Sequence, residues 1–193
     1  KTAAEVLGIT ENMVTPLMRS RAKAVNFGIV YGIGDYSLSQ DLHITRKEAR
    51  SYIDNYLGFY SGVKKYMTEI VDQAKQNGFV TTLFGRRRYI PELAASNKNI
   101  QSFGQRIALN TPIQGTAADI IKISMIRVYN SLREKGLKSR LILQVHDELI
   151  IQAHKDELEK VKKLLVENME NAVKLDVALS VDLKTGNNWY ELK

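Results

Sequence analysis

The chain has 193 residues and 44% hydrophobic content, enough to bury a core in one substantial domain or two small ones. It contains no cysteine, which excludes disulfides and cysteine-ligated metals and leaves carboxylates and three histidines as the strong metal ligands. A net charge of +7 favours a polyanionic partner, and no apolar run is long enough to span a bilayer.

In chain order, Lys1 to Leu7 lacks the apolar centre of a secretory signal, and the sequence enters abruptly, as if mid-helix. Thr2 to Leu7 reads as a helix closed by Gly8, and Thr10 with Glu11 opens the next segment. Pro16 fits an early position in a helix that Gly32 and Gly34 end. That helix carries Arg19, Lys23, Phe27 and Tyr31 at four-residue spacing, a row that rises about 6 Å per step and runs about 18 Å. Two cations followed by two aromatics have the order a nucleoside triphosphate needs, charge for the phosphates and ring faces for sugar and base. The same spacing describes an ordinary amphipathic helix with a solvated start and a buried end, and spacing alone does not choose between them. Gly28 costs about 1 kcal/mol relative to Ala inside a helix, so something is expected to approach the backbone closely there.

Asp35 to Leu42 reads as a short helix, and Thr45 with Glu48 is a capping-box signature for a helix to about Phe59. Another helix runs from about Ser61 to Gln76, stopped by Asn77 and Gly78. From Phe79 the pattern changes to two short strands around a turn at Gly85. The run Arg86 to Arg88 is a solvated basic edge or, as the less favoured alternative, a nucleic-acid contact. Asn97 to Asn110 and Ile113 to about Lys135 are helical, interrupted by Thr111 and Pro112, and predict one long kinked or broken helix. Arg106, Asn110 and Gln114 form a polar row on it, exposed to water or aimed into a nucleic-acid groove.

Leu141 to Val145 and Leu149 to Ala153 flank His-Asp-Glu and predict a hairpin buried on at least one side, with an acidic turn. A charged-faced helix from Asp156 to about Val173 and a last strand, Ala178 to Leu183, follow. Helices and strands do not alternate regularly, so the fold class is α+β with an antiparallel sheet. At the acidic turn, carboxylate oxygens suit a hard cation such as magnesium, and a hairpin end presents them rigidly. Neighbours on an extended strand face opposite ways, so Asp147 is the direct ligand and Glu148 auxiliary unless the turn breaks the alternation. His146 fits a hydrogen bond to substrate or neighbour better than a hard metal. A surface turn with two solvated acids is the plain alternative. Asp119, Asp176 and Asp182 are further carboxylates that nothing in the pattern sets apart, and His43 and His154 have no partners in it.

Taken together, the row Arg19, Lys23, Phe27, Tyr31 with Gly32, the segments Thr82 to Arg88 and Asn110 to Asp119, and the Val145-His146-Asp147-Glu148 turn resemble family A DNA polymerases of the bacterial type. Their order and spacing hold over the whole chain. The resemblance implies a helical fingers region over residues 1–78 and the C-terminal part of an antiparallel-sheet palm over 79–193. It implies template-directed DNA synthesis by an intact parent, with primer-template DNA, dNTP and the remaining thumb and palm chain as partners, no membrane, and a place with DNA in the bacterial cytoplasm or, alternatively, an organelle. By resemblance, Arg19 and Lys23 bind the triphosphate and Lys23 can protonate the leaving pyrophosphate. Phe27 packs on the sugar and disfavours dideoxynucleotides, and Tyr31 borders the nascent pair, with Gly28 and Gly32 leaving room. Arg106, Asn110 and Gln114 track the minor groove, and His146 supports the primer end. Asp147 and Glu148 serve catalysis at a two-magnesium site whose second aspartate is expected upstream of this chain, so the isolated chain is expected to be inactive. The rival expectations are a non-catalytic nucleic-acid-binding module and a helical protein that binds free nucleotides or other anions.

Overall fold

Short-range signals fix where most helices begin and end. The computed structural model describes Ala4 and residues 9–192, so the predicted Thr2 to Leu7 helix and its Gly8 stop lie, Ala4 apart, outside the described residues. Thr10 and Glu11 open only a single 3-10 turn, Glu11–Met13. Helix α1, Pro16–Val30, has Pro16 at its first position, where no N–H is needed, and the Thr15 hydroxyl accepts from the Met18 N–H at 3.2 Å. It ends in a Schellman turn, with Gly32 at φ 76°, its N–H on the Ile29 carbonyl and the Ile33 N–H on the Gly28 carbonyl, each at 2.8 Å.

Helix α2, Asp35–Leu42, closes the same way around His43, which takes φ 52° without being glycine. The capping box is complete at the start of α3, Arg46–Phe59: the Thr45 hydroxyl accepts from the Glu48 N–H, and the Glu48 carboxylate accepts from the Thr45 N–H at 2.8 Å. Helix α4, Ser61–Asn77, stops at Gly78, φ 76°. Strands β1, Phe79–Thr81, and β2, Arg87–Tyr89, pair antiparallel with Phe79 opposite Tyr89, Val80 opposite Arg88 and Thr81 opposite Arg87. Helix α5 is Lys98–Glu134, strands β3, Arg140–Val145, and β4, Glu148–Gln152, form a second antiparallel pair, and α6 is Leu158–Glu170. The α+β class expected from the sequence is therefore what the chain adopts.

The chain divides into two compact units, Lys1–Gly115 and Thr116–Lys193. The change from helices to strands expected at 78/79 falls inside the first. That unit holds two apolar clusters: Val25, Ile29, Leu38, Ala49 and Tyr56 join α1, α2 and α3, while Ala74, Val80, Ile90, Leu93, Ile107 and Ala108 join α4, the first hairpin and the start of α5. In the second unit Val128, Leu132, Leu149, Val161, Leu164 and Leu165 form the core.

The long helix expected across Pro112 forms without a break, and one expectation changes. Proline forfeits one helical hydrogen bond at a cost of about 3 kcal/mol, and burial of Ala108, Leu109 and Thr111 in the preceding turn holds the chain helical against it. The strand predicted at Ala178 to Leu183 does not form. Leu179, Val181 and Leu183 keep the inward alternation, and Val181 N–H donates to the Glu170 carboxylate at 3.0 Å, but among the described residues β3 and β4 pair only with each other. Apolar alternation sets which side chains turn inward; a strand also needs a neighbouring edge.

A carboxylate ties the base of the second hairpin. Glu157 accepts from the Lys138 and Ser139 N–H groups, both at 3.0 Å, and from the Ser139 hydroxyl at 2.7 Å, while the Ser139 oxygen accepts from the His154 N–H at 2.9 Å. The Lys138 backbone bond, followed by the Ser139 hydroxyl, lowers the Glu157 pKa from 4.5 to about 2. A carboxyl depressed in the folded state contributes stability that is complete above its unfolded pKa and is lost as pH falls through the folded one. The contribution is thus expected to disappear between pH 4.5 and about 2. A Glu157→Gln variant is expected to give a flatter plot of urea midpoint against pH over that window.

Candidate nucleotide and nucleic-acid site

Helix α1 buries Val25 and Ile29 and turns the Arg19, Lys23, Phe27 and Tyr31 row outward. An amphipathic helix with a buried end would hide the two rings. Instead Phe27 is 53% exposed and Tyr31 39%. The rings stack at 6.4 Å between centroids and 26° between planes, and Lys23 Nζ lies 5.9 Å from the Phe27 centroid. The row is therefore continuous, with cation against ring against ring, on a face that the first unit's apolar cluster does not use.

The close approach expected at Gly28 is internal. A Cβ there would meet Ile33 Cγ2 at 2.8 Å, because the Schellman turn folds Ile33 back over Gly28. At Gly32 a Cβ would meet Leu109 Cδ1 at 2.9 Å and Arg106 Cγ at 3.3 Å, on a backbone already at φ 76°. The glycines thus make room for Ile33 and α5. Gly32→Ala is expected to destabilise the protein by at least about 1 kcal/mol, measured by denaturant unfolding, through both the left-handed backbone and the crowding.

On α5, Arg106 and Gln114 are exposed and Asn110 is half-buried. Arg106 reaches the Ser102 hydroxyl at 3.3 Å and lies 5.8 Å from the Phe103 ring centroid. Asn110 Oδ1 is buried without a hydrogen-bond partner, a state that costs about 1–3 kcal/mol until a donor arrives. All three residues belong to the first unit, as the cation and aromatic row does.

In the second unit β3 and β4 are joined by the two-residue turn His146 and Asp147, with Val145 opposite Glu148. Such turns want a positive φ, and His146 supplies it at 53° although it is not glycine. Gln144 Nε2 donates to the His146 carbonyl at 2.7 Å and braces the turn. Asp147 and Glu148, like Leu149 and Ile150 after them, line one cavity of about 540 Å³, together with Ser180, Asp182, Ile121 and Leu165. Asp182 is one carboxylate among several in the sequence; its place in the same lining as Asp147 depends on how the segment after α6 folds back. Asp119 is buried, and Asp176 lies exposed outside the cavity's lining.

Two carboxylates suit one magnesium ion that keeps water and substrate oxygens, but they do not make a bridged pair of ions. Among the described residues no group of three or more His, Asp or Glu is placed to hold a metal. The donor set here does not by itself fit a two-metal centre.

The family model described as DNA polymerase family A matches residues 1–191. The chain belongs to DNA polymerase family A. Family members similar to it include DNA polymerase I of Bacillus subtilis (strain 168), 59% identical, and that of Geobacillus stearothermophilus, 55% identical, each over all of this chain and 22% of the relative. A solved structure, the POL domain of Pol1 from M. smegmatis in complex with DNA primer-template and dNTP, is similar at a TM-score of 0.94 and 41% identity, over 99% of this chain and 34% of that one. The chain thus spans about a fifth of the length of the curated family A relatives it matches. Among the described residues no helix is long and apolar enough to cross a membrane.

Proposed function

We propose that this chain forms the fingers, residues 1–78, and the C-terminal part of the palm, residues 79–193, of a template-directed DNA polymerase. The observation that carries the reading is the outward row on α1, where two large aromatic rings stay exposed beside Lys23 in a family A chain. Exposed rings stacked in line with cations fit a base, a sugar and phosphates together.

In the intact polymerase a primer 3′-hydroxyl loses its proton to water as its oxygen bonds to the α-phosphorus of a dNTP, the bond from that phosphorus to the bridging oxygen breaks, and pyrophosphate leaves. Arg19 and Lys23 hold the phosphates, and the Lys23 ammonium gives the leaving oxygen its proton. Phe27 packs on the sugar and Tyr31 borders the nascent pair. Arg106, Asn110 and Gln114 follow the minor groove, where acceptor positions shared by all base pairs let pair shape be checked without reading sequence. His146 supports the primer end. Asp147 and Glu148 are this chain's carboxylates for magnesium, whose remaining protein ligands belong to the rest of the polymerase. The isolated chain is accordingly inactive, and the intact protein works on DNA in a bacterial cytoplasm, as its bacterial relatives favour.

The test is magnesium-dependent primer extension by the intact polymerase, with Phe27→Tyr beside it. Extension is expected, and the tyrosine variant is expected to incorporate dideoxynucleotides more readily relative to deoxynucleotides. A second reading, a nucleic-acid-binding module without catalysis, draws on the small carboxylate set. Salt-dependent duplex binding without extension would favour it.

A further inference from the structure

The first hairpin has an outer face that neither apolar cluster uses. In its register Val80 and Arg88 share one face, with Val80 buried in the core, so Phe79, Thr81, Arg87 and Tyr89 share the other. On that outer face Arg87 lies 4.9 Å from the Phe79 ring centroid, and Phe79 meets Tyr89 edge-on at 5.6 Å. Tyr89 is 67% exposed. From Phe79 to Ile90 the sequence has three arginines and no acid. The inner-face Arg88 reaches the Thr111 hydroxyl at 3.4 Å, which sets the hairpin beside Asn110 on α5.

We infer that this outer face, Arg87 with Phe79 and Tyr89, is a contact surface for single-stranded DNA, which on the polymerase reading is the unpaired template ahead of the duplex. Three properties favour that occupant. An exposed tyrosine offers a ring on which any base can stack, so binding is sequence-tolerant. A guanidinium held over a neighbouring ring is already ordered, so little rotamer freedom is lost when it meets a phosphate. An acid-free stretch carrying three arginines attracts a polyanion and repels basic partners. The Arg88 contact to Thr111 keeps the hairpin against α5 in the same unit as Asn110, while its outer face stays open. The inference rests on the polymerase reading for the identity of the strand.

The experiment uses the intact polymerase, with binding measured by fluorescence anisotropy on two DNAs that share one duplex. One carries a long unpaired 5′ template and the other is blunt. Tyr89→Ala is expected to weaken binding of the overhang substrate about tenfold and to leave the blunt duplex unchanged. Tyr89→Phe keeps the ring and is expected to restore binding, which separates stacking from a folding defect. Arg87→Ala is expected to lower the slope of log affinity against log salt by about 0.7 on the overhang substrate alone. Equal losses on both DNAs, or no loss on either, would overturn the inference. Extension measured on the same DNAs keeps the two readings apart: extension with unchanged Tyr89→Ala binding removes only the hairpin surface. Loss of overhang binding without any extension keeps the surface and removes the polymerase.

Discussion

Replacing Asp147 by Asn is expected to lower kcat of the intact polymerase by at least about 100-fold while leaving primer-template affinity unchanged or tighter. The reasoning is electrostatic. Asp147 and Glu148 stand exposed at the mouth of one cavity in a chain of net charge +7. A carboxylate about 4 Å from a phosphate is repelled by roughly 4 kcal/mol at an effective dielectric near 20. Acids placed where DNA is proposed to lie are therefore a liability for binding unless a cation sits between them and the phosphates. Removing the charge while keeping the shape should relieve the repulsion and abolish what the cation supplies. The measurement is single-turnover extension together with equilibrium binding. Normal turnover would remove Asp147 from the chemistry, and weakened binding would mean that the turn itself had lost its shape.

Lys23→Ala is expected to reduce kcat/KM for the triphosphate by about 10- to 100-fold, the value of one charge-assisted hydrogen bond to a phosphate, with DNA affinity little changed. Lys23→Arg divides the two roles assigned to this side chain. Arginine keeps the charge and binds phosphate, yet it does not release a proton at working pH. If Lys23 only holds the phosphates, the arginine variant should recover most of kcat/KM. If it also protonates the leaving oxygen, KM should recover while kcat stays low. Full recovery of both would remove proton transfer from the proposal.

The elements read best from the sequence are those decided within a few residues. Pro16 at the first position of α1, the Thr45 and Glu48 box, and Gly78 after α4 each settle a boundary by satisfying or omitting a specific backbone group. The elements left open or misread depend on distant partners. Pro112 left a kinked and a broken helix open, because the burial that carries α5 through it comes from packing, which local pattern does not contain. Ala178 to Leu183 has strand alternation, but whether a ladder forms depends on an available edge.

The candidate site divides in the same way. Fourfold spacing put Arg19, Lys23, Phe27 and Tyr31 in one row; only the fold decided that the rings face outward. His-Asp-Glu was legible as an acidic turn, yet the shared cavity with Asp182 required the chain to double back after α6. The outer hairpin face carried a readable signal, period-two spacing of Arg87 and Tyr89, that the conspicuous arginine run obscured.

The Schellman turn at the end of α1 also sets where that helix can pivot. Gly32 is seated against Leu109 and Arg106, and Ile33 is folded over Gly28, so the C-terminal end of α1 is pinned to α5. Toward the other end the Thr15 hydroxyl caps the helix, and Val25 and Asn26 hold its middle against α2 and α3. Were α1 to swing about that pinned end, α2 and α3 would have to follow, and each 10° about Tyr31 would carry Arg19, about 18 Å away, through about 3 Å. In such a swing the rings would hardly travel while the cations moved toward or away from the proposed phosphate chain. Base and sugar would then be sampled at a nearly fixed point, and the triphosphate would be gripped only at the far end of the stroke.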